Sequence, residues 1–291
     1  MTDATLPVSP ACDRRRTTDR WSFESVVESF IRPGNWAAGL AYSLGLQGRL
    51  RSSVLEVACP SARPGAPLRI AFASDFHAGG FTDPRILAEA CEMLAAMNPD
   101  VLLLGGDYVS VRGADIRRLA PLIAEIPAPY GKFGVLGNHD LRANYGVIVA
   151  ALERAGVHVM TNEHVQLGGP FADVSICGLD DATYGAPRGD LAMDGATGTR
   201  RVVLMHSPQG LDAVGDRRFD LALCGHTHGG QVRLPWGPAP YVPGAAINRR
   251  YCVGEFEMGC DGRLLVSHGV GCSGVPVRTF APPEVHLCLI T

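Results

Sequence analysis

The sequence lacks several features that would assign it to a common class of protein. Its nine cysteines include no pair in the CxxC spacing of a zinc site. No stretch reaches the roughly 18 apolar residues that are needed to span a bilayer. Acidic residues number 29 and basic residues 26, so the net charge of −3 creates no positive field that would attract nucleic acid. These absences argue against a zinc-framework protein, an integral membrane protein and a nucleic-acid-binding protein.

The composition is that of a chain with a large folded core. Hydrophobic residues make up 46% of the 291 residues and charged residues 19%, which excludes disorder over most of the length. Several cysteines lie inside apolar runs, where a thiol usually acts as a small buried hydrophobic group; they are Cys91, Cys177, Cys224 and Cys288. We therefore expect reduced cysteines and a cytoplasmic location. Export is the less favoured alternative, because no small-residue cleavage site follows the arginine cluster at residues 14–16.

The N-terminal part of the chain differs from the rest. Residues 1–20 are polar and rich in arginine, aspartate and threonine, so we predict a disordered tail. Residues 21–52 are predicted to form a helical segment in which aromatic residues lie near arginines. Two interpretations stay open for residues 22–50: a helix that packs on the main domain, or a peripheral anchor at the inner membrane, where such side chains suit the headgroup boundary. The main domain is predicted to span residues 53–291.

From residue 53 onward, short aliphatic runs alternate with amphipathic stretches. Asp83 and Pro84 predict the start of a helix, and apolar spacing predicts further helices over residues 116–126 and 147–155. Strands are predicted at residues 68–73, 101–104, 133–136, 157–160, 174–178, 202–205 and 221–224, and in the last third at 251–256, 263–267 and 284–290. This order predicts an α/β fold, an α+β sandwich in which two mixed β-sheets are flanked by helices.

Polar residues that carry chemistry cluster where the predicted strands end. The candidate site residues are Asp75, His77, Asp107, Asn138, His139, Asp140, His206, His226 and His228. Ligands bind at the carboxyl ends of strands in open α/β sheets, so these side chains are expected to meet. Within Asp75-x-His77 and His226-x-His228, an extended backbone would direct both side chains to one side.

The side-chain types in this set indicate a metal site. Imidazole, carboxylate and amide oxygen suit manganese, iron, zinc or cobalt rather than calcium, and manganese is preferred here. The candidate ligands are too many for one ion, and they match a two-metal site with a bridging carboxylate. Each motif alone would more often be a helix cap or a turn. It is their succession after consecutive strands that favours two divalent metal ions.

The succession of motifs resembles the calcineurin-like metallophosphoesterase superfamily. The motifs are Asp75-x-His77, Gly106-Asp107, Gly137-Asn138-His139-Asp140, His206 and Gly225-His226-x-His228. Residues 105–109, 205–208, 225–231 and 276–284 are similar to a narrower branch of bacterial, membrane- or envelope-associated phosphodiesterases, which includes a UDP-2,3-diacylglucosamine pyrophosphatase. The resemblance covers residue 53 to the end and implies the calcineurin-like phosphoesterase fold.

The resemblance also implies a role for each candidate residue. The first metal would be held by Asp75, His77 and His228. The second metal would be held by Asn138, His206 and His226, and Asp107 would bridge both ions. His139 would act as a general acid or stabilise the transition state, and Asp140 would orient its ring.

The sequence departs from the family pattern at two places, which affects the family properties that can be expected of this protein. Ser110 and Arg112 stand where the common superfamily form has an acidic residue. His139 stands where soluble UDP-diacylglucosamine hydrolases carry arginine, which leaves that particular substrate open.

The implied reaction is hydrolysis of a phosphodiester or pyrophosphate by a metal-activated water. The leading hypothesis is a dinuclear-metal-dependent phosphodiesterase or pyrophosphatase that acts on a lipid-linked or nucleotide-linked substrate. A cyclic-nucleotide phosphodiesterase is the alternative enzyme. A non-catalytic metal-binding scaffold is the alternative of another class, and the presence of every ligand argues against it. The apolar-aromatic loop at residues 230–250 either covers a sheet edge or grips an acyl or nucleobase group; both interpretations stay open.

Overall fold

The structure is a computed structural model that describes residues 23–31, 35–59 and 67–291, without the side chains of residues 23–25 and 260. The tail predicted at residues 1–20 lies outside the described residues, and so do Trp21 and Arg32. Helices α1 (Phe23–Ile31) and α2 (Trp36–Ser43) occupy the predicted N-terminal segment. Within the described residues, no helix is long and apolar enough to cross a membrane.

Twelve strands follow in chain order. They are β1 (Arg51–Val57), β2 (Leu68–Ala73), β3 (Val101–Leu104), β4 (Lys132–Gly134), β5 (Val157–Val159), β6 (Glu163–Gln166), β7 (Val174–Gly178), β8 (Arg200–Leu204), β9 (Leu221–Cys224), β10 (Gly254–Glu257), β11 (Arg263–Val266) and β12 (Glu284–Ile290). Because β1 begins at Arg51 and pairs with β12, the predicted boundary between residues 52 and 53 falls inside a strand.

The remaining helices connect these strands. They are α3 (Pro84–Ala96), α4 (Ala120–Ala124), α5 (Asn138–Arg142), α6 (Tyr145–Arg154), α7 (Gly189–Met193), α8 (Leu211–Val214) and α9 (Ala246–Arg250). Helix α3 begins as predicted, since the side chain of Asp83 accepts a hydrogen bond from Arg85 N and Pro84 takes the first position. The single helix predicted over residues 116–126 is wrong. A 3-10 helix (Gly113–Arg118) ends before α4, because Pro121 has no N–H to continue the ladder.

The strands form two mixed six-stranded sheets, as the sequence predicts. The first has the order β1-β12-β2-β3-β4-β5 and the second β10-β11-β9-β8-β7-β6. In the first sheet β2 to β5 run parallel, and in the second β7, β8, β9 and β11 run parallel. The carboxyl ends of the parallel strands can therefore meet at one edge of the sandwich.

Alternation along the strands separates the apolar core into layers. Ile70 and Phe72 of β2 pack between the sheets with Ile176 and Leu204 from the opposite sheet. Ala71 on the other face of β2 packs with helices α3, α4 and α6. A third cluster covers the outer face of the second sheet with α7. The result is a sandwich of two sheets flanked by helices. The described cysteine thiols are all free, as expected.

Candidate active site

The predicted ligands meet at the carboxyl ends of strands from both sheets. Three come from the first sheet: Asp75 and His77 follow β2, and Asp107 follows β3. Asn138 is the first residue of α5, after β4. The others follow β8 and β9 of the second sheet and are His206, His226 and His228. All seven side chains are buried, at 8% exposure or less.

The backbone at these residues is not extended, so the expectation based on strand alternation is wrong. Five of the predicted ligands have a left-handed backbone conformation, with φ between 45° and 71°: Asp75, His77, Asp107, His226 and His228. The strands end at Ala73 and Cys224, and the chain then turns sharply. A left-handed residue with a side chain costs about 1–2 kcal/mol. Such strain persists where the surrounding structure enforces it, and it is concentrated at functional sites.

Two glycines allow the loops to approach one another. A Cβ atom at Gly137 would collide with Asp107 Oδ1 and with Cε1 of His206 at 2.7 Å. A Cβ atom at Gly225 would collide with the carboxylate of Asp75 and the side chain of Ser74. Larger residues at either position would therefore push ligands from the two sheets apart.

Asp75, His77 and His228 form what we call the first group. The Nε2 atoms of His77 and His228 lie 3.0 Å apart. Asp75 Oδ1 lies 3.5 Å from His228 Nε2 and 3.9 Å from His77 Nε2. Asp75 is itself fixed, because both of its carboxylate oxygens accept from the backbone N–H of His226 at 3.1 and 2.9 Å. Three ligand atoms thus converge on one small region.

Asn138, His206 and His226 form the second group, with Asp107 between the two groups. His206 Nε2 lies 3.0 Å from Asn138 Oδ1 and 3.1 Å from His226 Nδ1. Asp107 Oδ2 lies 3.3 Å from His206 Nε2 and 3.6 Å from His77 Nε2. One carboxylate oxygen therefore faces a nitrogen of each group.

The donor set of the second group requires a positive charge among its atoms. The Nδ1–H of His206 donates to the carbonyl of Gly105 at 2.8 Å, so the neutral ring presents a lone pair at Nε2. That lone pair faces an amide oxygen, an imidazole nitrogen and a carboxylate oxygen. Four electron-rich atoms without a hydrogen between them are unfavourable unless a positive charge is shared among them.

The protonation preferences of the imidazoles differ within the site. Burial lowers the pKa of His77 and His228 well below the usual value, and burial with the nearby His206 lowers the pKa of His226 to about 3. These rings are therefore neutral, which is the form that binds metal. His206 is the exception: burial acts to lower its pKa, but the carboxylate of Asp107 holds it well above the usual value. Burial raises the pKa of Asp75 to about 6.

His139 lies at the mouth of the cluster, held by the backbone. Its N–H donates to Asp107 Oδ1 at 2.8 Å, and its Nδ1–H donates to the carbonyl of Ser110 at 2.6 Å. The ring stands edge-on to His77, with 4.7 Å between centroids. His77, Asp107 and His139 also lie close enough together to hold an ion, so the geometry alone allows His139 to be a ligand.

Asp140 differs from its expected role of orienting the His139 ring. Its carboxylate is buried and accepts hydrogen bonds from backbone amides: Gly137 N at 3.0 Å, Tyr108 N at 2.9 Å and Val109 N at 3.3 Å. These bonds tie the loop after β3 to the loop after β4. The His139 ring is instead fixed through the Ser110 carbonyl, a backbone contact that side-chain types do not reveal.

Two buried residues to which the sequence analysis assigned no role lie against the predicted ligands. Arg278 donates to the carbonyls of His268 at 2.9 Å and Ala281 at 3.0 Å, and its Nη2 lies 3.2 Å from His228 Nδ1. Asn248 Nδ2 donates to the carbonyl of Pro243 at 3.1 Å, and a Cβ atom at Gly244 would collide with this nitrogen and lie 3.2 Å from His226 Nε2. Asn248 Oδ1 and His226 Nε2 are both buried without a hydrogen-bond partner in the described part of the chain.

A cleft of about 690 Å³ opens over the cluster. Its polar floor includes Asp107, Asn138 and His139, and Arg142 stands beside them. Its opposite wall is apolar and comes from two loops; the wall residues are Val232, Pro240, Tyr241, Pro243 and Val275. The loop after the last metal motif thus borders the site, and the cleft can take an anionic group next to an apolar one.

Comparison with known proteins finds relatives of this chain. The model of the calcineurin-like phosphoesterase family matches residues 68–230. Phosphodiesterase YaeI of Escherichia coli (strain K12) is 30% identical over 225 residues, which are 76% of this chain and 81% of that protein. An uncharacterized metallophosphoesterase of Aquifex aeolicus (strain VF5) is 30% identical over 240 residues, 78% of this chain and 86% of that protein. Among solved structures, TT1561 of Thermus thermophilus matches with a TM-score of 0.47 and 12% identity, over 70% of this chain and 90% of that one.

Proposed function

The chain belongs to the calcineurin-like phosphoesterase family, and on this premise we propose that it is a dinuclear-metal-dependent phosphodiesterase or pyrophosphatase. Hydrolysis of phosphoester bonds follows from the family, whose model matches from β2 to the turn after β9. The observation that carries the dinuclear proposal is the position of Asp107, whose Oδ2 faces His77 on one side and His206 on the other.

The first group would hold one divalent ion, the second group another, and Asp107 would contact both. When bound, such ions act as Lewis acids that polarise the phosphoryl oxygens and lower the pKa of a coordinated water. Manganese is the preferred ion for this mixed nitrogen and oxygen set, followed by iron, zinc or cobalt.

His139 supplies the proton transfer in this proposal. In its protonated form it keeps Nδ1–H on the Ser110 carbonyl and donates Nε2–H to the oxygen of the leaving group. The backbone bond to Asp107 fixes the ring relative to the cluster. Asp140 maintains this arrangement by tying together the loops that carry Asp107 and His139.

A lipid-linked or nucleotide-linked substrate is proposed because one wall of the cleft is apolar and aromatic. Tyr241 and Val275 offer a surface for an acyl chain or a nucleobase, while the phosphoryl group lies at the polar floor. A cyclic nucleotide is the competing substrate that the same floor would accept.

We further propose peripheral contact with the inner membrane through residues 22–50, which keeps the enzyme on the cytoplasmic side. Several aromatic side chains of the N-terminal segment and of the loops at residues 225–254 and 267–283 are more than half exposed, and they are Phe30, Trp36, Trp236, Tyr241 and Phe280. Residues 29–50, 225–254 and 267–283 contain no aspartate or glutamate, although the chain as a whole is acidic. Apolar side chains with only arginine among them suit an anionic headgroup surface.

The three segments are joined in the structure. Arg278 N donates to the carbonyl of Leu46 at 2.7 Å, and Arg233 N donates to the carbonyl of Thr279 at 3.0 Å. The same segment also packs on the main domain, since Glu28 and Gln47 are buried and bond to Gly80 N and the Phe81 carbonyl. In this proposal one face of the segment packs on the main domain, and the opposite face contacts the membrane.

Metal analysis with hydrolysis of bis(p-nitrophenyl) phosphate tests the proposed reaction. Activity should disappear after chelation and return with Mn²⁺. Full activity in protein from which all metal has been removed would disprove it. A panel of UDP-diacylglucosamine, UDP-glucose and cyclic AMP then ranks the substrates, and preference for cyclic AMP would favour the competing enzyme.

Vesicle binding tests the membrane contact. The double variant Phe30→Ser/Trp36→Ser should bind phosphatidylglycerol vesicles more weakly than the wild type and keep its activity on the soluble diester. Val54→Ser/Leu191→Ser, which changes exposed apolar residues elsewhere, is the matched control. Absence of vesicle binding by the wild-type protein at low salt would contradict the contact.

A further inference from the structure

Arg142 is the last residue of α5, the short helix that begins with Asn138 and His139. We propose that Arg142 binds a second anionic group of the substrate, a phosphate next to the one that is attacked, so that the preferred substrate is a pyrophosphate diester rather than a single phosphodiester. This inference rests on the proposed function and selects within it.

The position of Arg142 places a cation beside the reacting centre. It lies four residues after Asn138, so their α-carbons are about 6 Å apart along the helix axis and share one helix face. Arg142 also lines the cleft above the cluster. A phosphate adjacent to the attacked one would therefore lie within reach of its long side chain.

The contacts of Arg142 limit the orientation of its guanidinium. Its Nη2 lies 3.2 Å from His139 Nδ1, but that nitrogen carries the hydrogen that it donates to the Ser110 carbonyl at 2.6 Å. His139 Nδ1 is therefore not an acceptor for the guanidinium. The guanidinium also lies over the Tyr184 ring, 5.9 Å from its centroid, which limits where it can point.

The charge of the cleft supports the same assignment. Of the described residues that line the cleft, Arg142 is the sole lysine or arginine. The wall opposite is apolar, and next to such a wall a guanidinium attracts an anion more strongly than in open water, because the local dielectric is lower. The planar guanidinium fork of arginine matches phosphate oxygens in two parallel hydrogen bonds, which gives both affinity and geometry.

A rival role for Arg142 is to position the His139 ring. That role would affect every substrate, because the proton transfer is common to all of them. A second anion subsite would affect only a substrate that carries the second phosphate. The two roles therefore predict different substrate patterns for the same substitution.

The experiment compares Arg142→Gln with the wild type on UDP-glucose and on bis(p-nitrophenyl) phosphate, with Mn²⁺ bound. We expect kcat/KM on UDP-glucose to fall about 10–100-fold, the range for loss of a charged hydrogen-bond pair. On bis(p-nitrophenyl) phosphate it should change less than about threefold, within the spread of surface substitutions. Arg142→Lys should recover part of the loss, and Arg112→Gln, an exposed arginine outside the cleft, should match the wild type.

Equal losses on both substrates would overturn the subsite and assign Arg142 to positioning His139. Wild-type hydrolysis of the diester with no hydrolysis of any pyrophosphate would also overturn it, while the proposed function would stand. Failure of the metal-loaded wild type on both substrates would instead reject the proposed function itself. Metal content and melting temperature of each variant show whether the site remains folded.

Discussion

The two groups of ligands that meet at Asp107 are held in different ways. In the second group, His206 is oriented through Nδ1 by the Gly105 carbonyl at 2.8 Å, the outer contact usual for a metal-binding imidazole. The first group has a carboxylate of its own, Asp75, but the outer Nδ1 of His77 has no hydrogen-bond partner among the described residues. Outer contacts are mixed in both groups, since His228 Nδ1 lies 3.2 Å from Arg278 Nη2 and His226 Nε2 has no partner among the described residues. We infer that the first ion depends on Asp75 and the second on Asp107 and the oriented His206, so the two ions should respond differently to perturbation.

The largest effect should come from the carboxylate that the groups share. Asp107→Asn should empty both positions and lower kcat/KM by more than about 10⁴-fold, since the electrostatic contribution of both ions is lost. Metal content by mass spectrometry should fall together with turnover. Asp190→Asn, which removes an exposed ion-pair partner of Arg188, is the control and should retain both. Retention of one tightly bound ion in Asp107→Asn would show that the carboxylate belongs to one group alone.

His139→Gln should separate chemistry from metal binding. We expect turnover to fall about 10²–10⁴-fold, the range for loss of a general acid, with metal content unchanged. The experiment is informative because His139 lies within ligand distance of His77 and Asp107. Loss of an ion along with activity would make His139 a ligand of the first group.

Asn248→Ala should weaken the second ion and spare the first. With an ion on Nδ1 of His226, the ring hydrogen is on Nε2, and Asn248 packs beside Gly244 with that nitrogen. Asn248 Oδ1 is buried without a partner among the described residues, so we expect it to accept this hydrogen once the ion is bound. Loss of such an outer contact typically lowers metal affinity about 10–100-fold. Calorimetric titration of metal-free protein should show one transition weakened and one intact. Equal weakening of both would mean that Asn248 supports the loop rather than the His226 ring.

Acidification should produce the smallest effect and reach the second group first. The pKa of His206 is held well above its usual value by Asp107, so protons compete with the second ion already at neutral pH. The pKa of Asp75 is raised to about 6 by burial, so protons compete for the first group only below that pH. Affinity for the second ion should decline by up to about tenfold in all as the pH is lowered from 8 to 6, while affinity for the first ion remains. Titrations at several pH values measure this, and simultaneous loss of both ions would contradict it.

The clustering of the seven candidate ligands was predictable from the sequence because each lies in a short motif of glycine, aspartate, asparagine and histidine after an aliphatic run. The prediction that paired side chains point to one side was wrong because the strands end before these residues. Side chains alternate in direction only while the backbone stays extended within a strand. His77 and His226 adopt left-handed conformations that no alternation rule describes.

The supporting residues could not be predicted, because their contacts depend on the tertiary fold. Arg278 meets His228 from 50 residues away in the chain, and Ser110 acts through its carbonyl rather than its side chain. The exposure of side chains in the N-terminal segment also depends on the tertiary fold. Its composition indicated aromatic and arginine side chains, but only packing decides that Gln47 is buried while Trp36 is exposed.

Anomalous diffraction from crystals grown with Mn²⁺ tests the central claim most directly. We expect two peaks roughly 3.5–4 Å apart, one against each group, with the carboxylate of Asp107 between them. A single peak at full metal occupancy, or two peaks that Asp107 does not bridge, would contradict the account.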